Sequence, residues 1–325
     1  MLPLCLVFGL EMLYREPLLD VSRRSVPQVQ ENFAGTGTER LLTVIGTLGS
    51  YEAILCYLAV CFNVLDRPTS LYLFTSMASV YYIVHCMKSY YKEQRLYLQD
   101  NEVQSTECDT GYENPSGIVT VNMFFWFSLF LHTFYREEVD EDRPILRSVA
   151  LAVSSIGGLT FMILLGLSRV FLGGNAYNNI LFGMTLGLVL ALIAFVWYYP
   201  YAMEFAERRI VPAESGKDPY YSVSVTDVLL LLILGLGVPM FFAVTILNSH
   251  NGEIDWEFKQ QVIWQKIWLG NGCEIDTTNP AEILQYKHFL QSGAVVVVFG
   301  SFAGQFAEWF AFVNRGLLNT SPWTW

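Results

Sequence analysis

The sequence predicts an all-α, multi-pass membrane helix bundle of about seven transmembrane helices. Three observations point there. Of 325 residues, 53% are hydrophobic and only 15% charged, and the mean hydropathy is +0.37, a balance that sets the chain apart from ordinary soluble domains. Apolar stretches of about 20 residues, the length needed to cross a bilayer, recur along it. The charged residues collect between those stretches.

Residues 1–40 read as an N-terminal interfacial or partner-binding tail. The first ten residues are apolar but have no basic flank, so they make a poor signal peptide, and Glu11, Glu16 and Asp20 do not suit a transit peptide. Segment 2–13 is expected at a membrane or partner interface. Spans are expected over 41–62, 70–87, 117–135, 145–167, 178–198, 225–247 and 290–313, together making one membrane domain, 41–313, with a C-terminal tail at 314–325. Two polar loops, 89–114 and 248–287, interrupt it. Within the second, Trp256, Ile263, Trp264, Ile267 and Trp268 recur at helical spacing, which predicts a short helix lying at the membrane surface.

The net charge of −11 comes from acidic loops such as Glu137-Glu138-Val139-Asp140-Glu141-Asp142. This argues against nucleic acid as a partner, because such binding requires a clustered basic surface. Lys and Arg are shared between both sets of loops, so charge leaves the orientation open. Six cysteines are too few for a disulfide scaffold. Cys56, Cys61 and Cys86 fall within spans and read as small core residues. Cys108 and Cys273 fall in loops that the span count puts on one face, where they pair only if that face is oxidising.

Three segments bear on phosphate chemistry. Lys88 and Arg95, with six residues between them, follow the second span. Pro115-Ser116-Gly117-Ile118 opens the third. Ser168-Arg169 closes the fourth, and Asn175 leads into the fifth. Each comes after an even number of crossings, so all lie at the same membrane face. The residue types suit one another. Arg offers a planar fork to two phosphoryl oxygens, Lys a point charge. Ser116 and Gly117 start a helix, whose free N–H groups and dipole favour an anion.

These segments resemble the type-2 phosphatidic acid phosphatase superfamily, whose signature is K-x6-R-P, P-S-G-H and S-R-x5-H. Within it the chain is most similar to glucose-6-phosphatase. Arg95-Leu96-Tyr97, Cys108-Asp109-Thr110-Gly111 and Ile275-Asp276-Thr277-Thr278 carry that likeness, which extends over roughly 41–304. It implies a superfamily-type helical core, and nine spans, two more than are counted here. It also implies that the last His of the third motif attacks phosphorus, that the His of P-S-G-H protonates the leaving oxygen, and that Lys and two Arg stabilise the transition state. By position, Lys88, Arg95, Ser116, Gly117, Ser168 and Arg169 keep the anion-binding part. The vestigial nucleophile position holds Asn175, the vestigial acid position Ile118, and Leu96 replaces a Pro.

An amide nitrogen is no nucleophile and an alkyl chain transfers no proton. Neither His85 nor His132, His250 or His288 stands at motif spacing. The expectation is therefore a pseudoenzyme, a structural accessory subunit of a larger membrane complex, whose cations either keep a phosphate or phospholipid-headgroup site or are neutralised as structural pairs by loop carboxylates such as Asp100, Glu107, Asp109 or Glu113. The alternatives are an active phosphoric monoester hydrolase with an unrecognised nucleophile, and a transporter of a phosphorylated solute. No cofactor and no metal are expected; membrane lipids and other membrane-protein subunits are the expected partners. The resemblance implies the endoplasmic reticulum, while another organelle membrane, such as the mitochondrial inner membrane, suits a complex subunit equally.

Overall fold

The computed structural model describes residues 2–65, 67–91, 93–100, 102–105, 112–135, 144–200 and 203. Every regular element among them is helical: α1 (Leu2–Phe33), α2 (Gly37–Leu48), α3 (Tyr51–Val64), α4 (Arg67–Tyr91), α5 (Leu96–Gln99), α6 (Gly117–Tyr135), α7 (Pro144–Phe171) and α8 (Tyr177–Ile193), the last prolonged by a π-helical turn, Ala194–Tyr198. The spans expected at 225–247 and 290–313, the surface helix at 256–268 and both loop cysteines, Cys108 and Cys273, lie outside the described residues.

Among the described residues, which exclude the last two expected spans, three helical segments are long and apolar enough to cross a membrane, Gly117–Phe134, Val149–Phe171 and Tyr177–Tyr198, and a bent helix pair makes a fourth if it counts as one span. The stretch 41–62 is not one straight helix but the pair α2 and α3, bent by 54°. Its break is local chemistry. Gly49 ends α2, and the Ser50 hydroxyl caps α3 by accepting from the Ala53 N–H at 3.2 Å. The stretch 70–87 lies in α4, which has the length of a span at 25 residues but not the apolarity. Its buried Thr69, Ser70, Ser76 and Lys88 explain why.

Helices α6 and α8 form the centre. On α8, Gly183 and Gly187 are one turn apart and face the first turns of α6. A Cβ at Gly183 would stand 2.9 Å from the Ser116 carbonyl oxygen, and one at Gly187 would stand 2.5 Å from that of Thr120. This is close packing through small residues, as membrane helices use where the hydrophobic effect cannot drive association. Around this pair, α1, α3 and α4 bury Val7, Ile54, Leu58, Tyr72, Leu73 and Met77 against Phe124, Phe125 and Phe182. A second apolar cluster joins α1, α2 and α7 through Val26, Ile45, Met162 and Leu165. Thus residues 2–33, the greater part of the N-terminal segment, are a helix packed along α8.

Helix α7 shows a different surface. Val149, Val153, Ile156, Leu159 and Ile163 are each 55–67% exposed among the described residues and follow helical spacing. A stripe of that kind would be poorly tolerated in water. Together with the three apolar helices it indicates association with a membrane.

Candidate phosphate-handling site

The ends of four helices meet at one end of the bundle. Lys88 is in the last turn of α4, Gly117 starts α6, Arg169 is in the last turn of α7, and Asn175 precedes Ala176, the N-cap of α8. Arg95 is the N-cap of the short α5. Lys88, Arg95 and Arg169 are only 6%, 3% and 3% exposed.

The turn from α7 to α8 sets the third motif. The Gly173 N–H donates to the Val170 carbonyl at 3.0 Å and the Gly174 N–H to the Arg169 carbonyl at 3.0 Å, the paired bonds of a Schellman cap. The cap needs a residue of positive φ, and Gly173 has φ +70°. A Cβ there would also strike the Gln104 carbonyl oxygen. Gly174 is needed for another reason: a Cβ on it would stand 2.5 Å from a terminal nitrogen of Arg169. Its carbonyl accepts from Arg95 Nη1 at 2.9 Å.

This turn delivers Asn175. Its Oδ1 accepts from Ser116 Oγ at 3.0 Å and from Arg169 Nε at 3.4 Å, all three side chains being buried. The Ser116 N–H donates to the Asn179 carbonyl at 3.1 Å. The second and third motifs are therefore joined through the Asn175 amide. Lys88 is near too, with Nζ 3.4 Å from the point where a Cβ on Gly117 would lie.

Two residues singled out by sequence are placed differently. Ser168 does not face this cluster; its hydroxyl donates to the Leu42 carbonyl at 2.6 Å and ties α7 to α2. Ile118 packs against the apolar cluster that contains Val26, Ile45 and Met162. Of the histidines, His85 lies 4.5 Å from the Tyr81 ring and His132 packs against Tyr199; neither occupies a motif position.

A carboxylate network lies behind the motifs; sequence reasoning named Glu113 in it as a counter-charge to the cations, but not Glu11 or Glu93. Glu113, fully buried, accepts from the Leu96 N–H at 3.0 Å and from the Ala176 N–H, so one carboxylate caps the starts of α5 and α8. Burial and the neighbouring Glu93 push its carboxyl up to about 7, against the opposing pull of Asn179, Arg95 and the Ala176 N–H. Glu93 accepts from Arg15 Nη2 at 3.0 Å, Asn114 Nδ2 at 3.0 Å and Asn178 Nδ2 at 3.0 Å. Glu11, 1% exposed, accepts from Asn114 Nδ2 and from the Tyr91 hydroxyl, each at 3.2 Å. The sequence signal available was paired amides, Asn178-Asn179, at the start of an apolar span, where polar groups require partners.

The arrangement can hold negative charge with Lys88, Arg95, Arg169 and the first turn of α6. It presents no nucleophile or proton donor at positions 175 and 118. No curated protein and no solved structure matches this chain. A family model does match: the PAP2 superfamily model matches residues 69–202, which contain every motif residue from Lys88 to Asn175.

Proposed function

We propose that this chain is a non-hydrolytic, PAP2-type membrane protein of the glucose-6-phosphatase pattern. In this reading it retains a phosphate or phospholipid-headgroup site and serves as a structural accessory subunit of a larger membrane complex. The observation that carries the reading is the position of the Asn175 amide. It occupies the nucleophile position and spends its oxygen on Ser116 and Arg169, so it braces the motifs and offers phosphorus no lone pair of useful basicity. Loss of a nucleophile alone costs on the order of 10⁶ in kcat in a well-studied hydrolase. The clamp of Lys88, Arg95 and Arg169 still supplies the charge that an anion would require.

Glu113 favours a second reading. A carboxylate buried beside the Arg95 charge neutralises part of the cluster from within, which would make the cations structural and the cluster closed to ligands.

Purified protein is expected to show no turnover of glucose 6-phosphate, phosphatidic acid or pyrophosphate. Turnover that disappears in Arg169→Ala would overturn the non-hydrolytic reading. The accessory role requires a high-mass species on native gels of the source membrane; migration only as a free monomer overturns that part.

A further inference from the structure

We propose that Tyr51 belongs to the anion site, its phenol hydroxyl donating to the bound phosphoryl group beside Lys88. This rests on the anion-binding reading above. Tyr51 lies outside residues 69–202 and in none of the three motifs; the broken helix pair brings it in.

It is the first residue of α3, immediately after the break at Gly49 and Ser50. The helix axis bends there by 54°. Asn122 Nδ2, from α6, donates to the Gly49 carbonyl at 2.7 Å and fixes that bend. Leu165 packs where a Gly49 side chain would be. As a result the Tyr51 hydroxyl reaches the start of α6, so close to the position of a Gly117 Cβ that no larger residue would fit there. The same point lies 3.4 Å from Lys88 Nζ. A phenol O–H, an ammonium and the opening turn of a helix therefore converge on one small volume, next to the Ser116 that bonds Asn175.

The ring itself is held. Tyr51 and Tyr81 meet edge to face at 5.1 Å, and Tyr81 in turn packs on His85 at 4.5 Å. A donor fixed in this way loses little entropy on binding. Its length and geometry suit a phosphate monoester dianion, whose oxygens accept several donors at once. Gly117 then has two duties: opening α6 and leaving room for the phenol.

The ligand chemistry is a phosphate monoester group, whether free in solution or on a lipid. Two arms separate the sources. Detergent-solubilised full-length protein is titrated with inorganic phosphate, and the same protein in phosphatidylcholine nanodiscs is tested for retention of added phosphatidic acid. Tyr51→Phe, which keeps ring and volume, is expected to weaken binding about ten- to a hundredfold in whichever arm the wild type responds, as befits one lost hydrogen bond to a charged acceptor. Thermal unfolding is recorded alongside. Wild-type affinity in Tyr51→Phe, with binding abolished in Arg169→Gln, overturns the role of Tyr51 and leaves the anion site standing. Weakened binding that only tracks a loss of folded protein assigns Tyr51 to packing and also overturns it. No response of the wild type in either arm overturns the anion site and this inference with it.

Discussion

The brace at Asn175 makes a quantitative claim. Its Oδ1 is shared by Ser116 Oγ at 3.0 Å and Arg169 Nε at 3.4 Å, with Ser116, Asn175 and Arg169 only 0%, 4% and 3% exposed. In Asn175→Ala the Ser116 hydroxyl is left without this acceptor in a site that water does not reach, which costs about 1–3 kcal/mol. The Arg169 contact is long and adds less. Ser116→Ala removes the donor but leaves Oδ1 with Arg169, so its cost is expected below that of Asn175→Ala. The informative quantity is the coupling between the two, since polar contacts between membrane helices average about 0.6 kcal/mol and reach about 1.7 kcal/mol in double-mutant cycles. Burial places this pair in the upper half of that range. The assay is a cycle of wild type, both single variants and the double variant, unfolded reversibly in mixed micelles. Strict additivity of the single costs would refute the brace: position 175 would then be a space filler, and the motif geometry would owe nothing to the amide.

Other expectations follow from neighbouring contacts. Glu113 holds its proton more tightly folded than unfolded, so its contribution to stability is full below about pH 4.5 and is lost as pH rises toward about 7; Glu113→Gln should flatten that slope in unfolding titrations, while lowering stability by about 1–3 kcal/mol because one of two backbone N–H groups loses its acceptor. Gly173→Ala must carry φ +70° with a side chain aimed at the Gln104 carbonyl, so a cost of at least about 2 kcal/mol is expected by thermal unfolding. Gly187→Ala places a methyl 2.5 Å from the Thr120 carbonyl and 2.9 Å from Met123 Cβ, which should force α8 off α6 at about 1–3 kcal/mol; an unchanged melting temperature would contradict the close packing.

How much of this was legible in the sequence depends on what each signal averages over. The convergence of Lys88, Arg95, Ser116, Gly117, Arg169 and Asn175 could be read, because motif spacing pins each to a helix end and span parity puts those ends on one face. The break inside 41–62 was missed although Gly49 and Ser50 were in view. An apolar window of about 20 residues averages over a two-residue interruption, and only the cap on Ala53 shows that the helix restarts. Helix α4 was taken as a span because its Tyr, Ser and Thr residues dilute the apolar run without breaking it. Glu113 could be named only as one of four loop carboxylates able to neutralise the cations, because its capping partners, Leu96 and Ala176, are backbone groups 17 and 63 residues away. Ser168 shows the converse case, a motif letter whose hydroxyl donates to the Leu42 carbonyl.

In the proposed reading, residues 175 and 118 stand where the resemblance puts histidines, and the two positions differ in physical kind. At 175 an amide supplies a polar acceptor, held by Ser116 and Arg169, so the α7–α8 turn keeps its hydrogen bonds. At 118 nothing polar is supplied. Ile118 packs against Val26, Ile45 and Met162, and so extends an apolar cluster that ties α1, α2 and α7 to α6. An imidazole at 118 would sit against that cluster and lose hydration with no partner provided, at a cost of about 1–3 kcal/mol. An imidazole at 175 would instead have to replace one oxygen that now serves two donors. The positions are thus set in different parts of the fold, one in the polar turn and one, half-buried, at the edge of an apolar cluster. A histidine at 118 would need a polar partner beside that cluster as well as a changed turn at 175, and that dependence is what separates a remodelled site from one merely lacking two side chains.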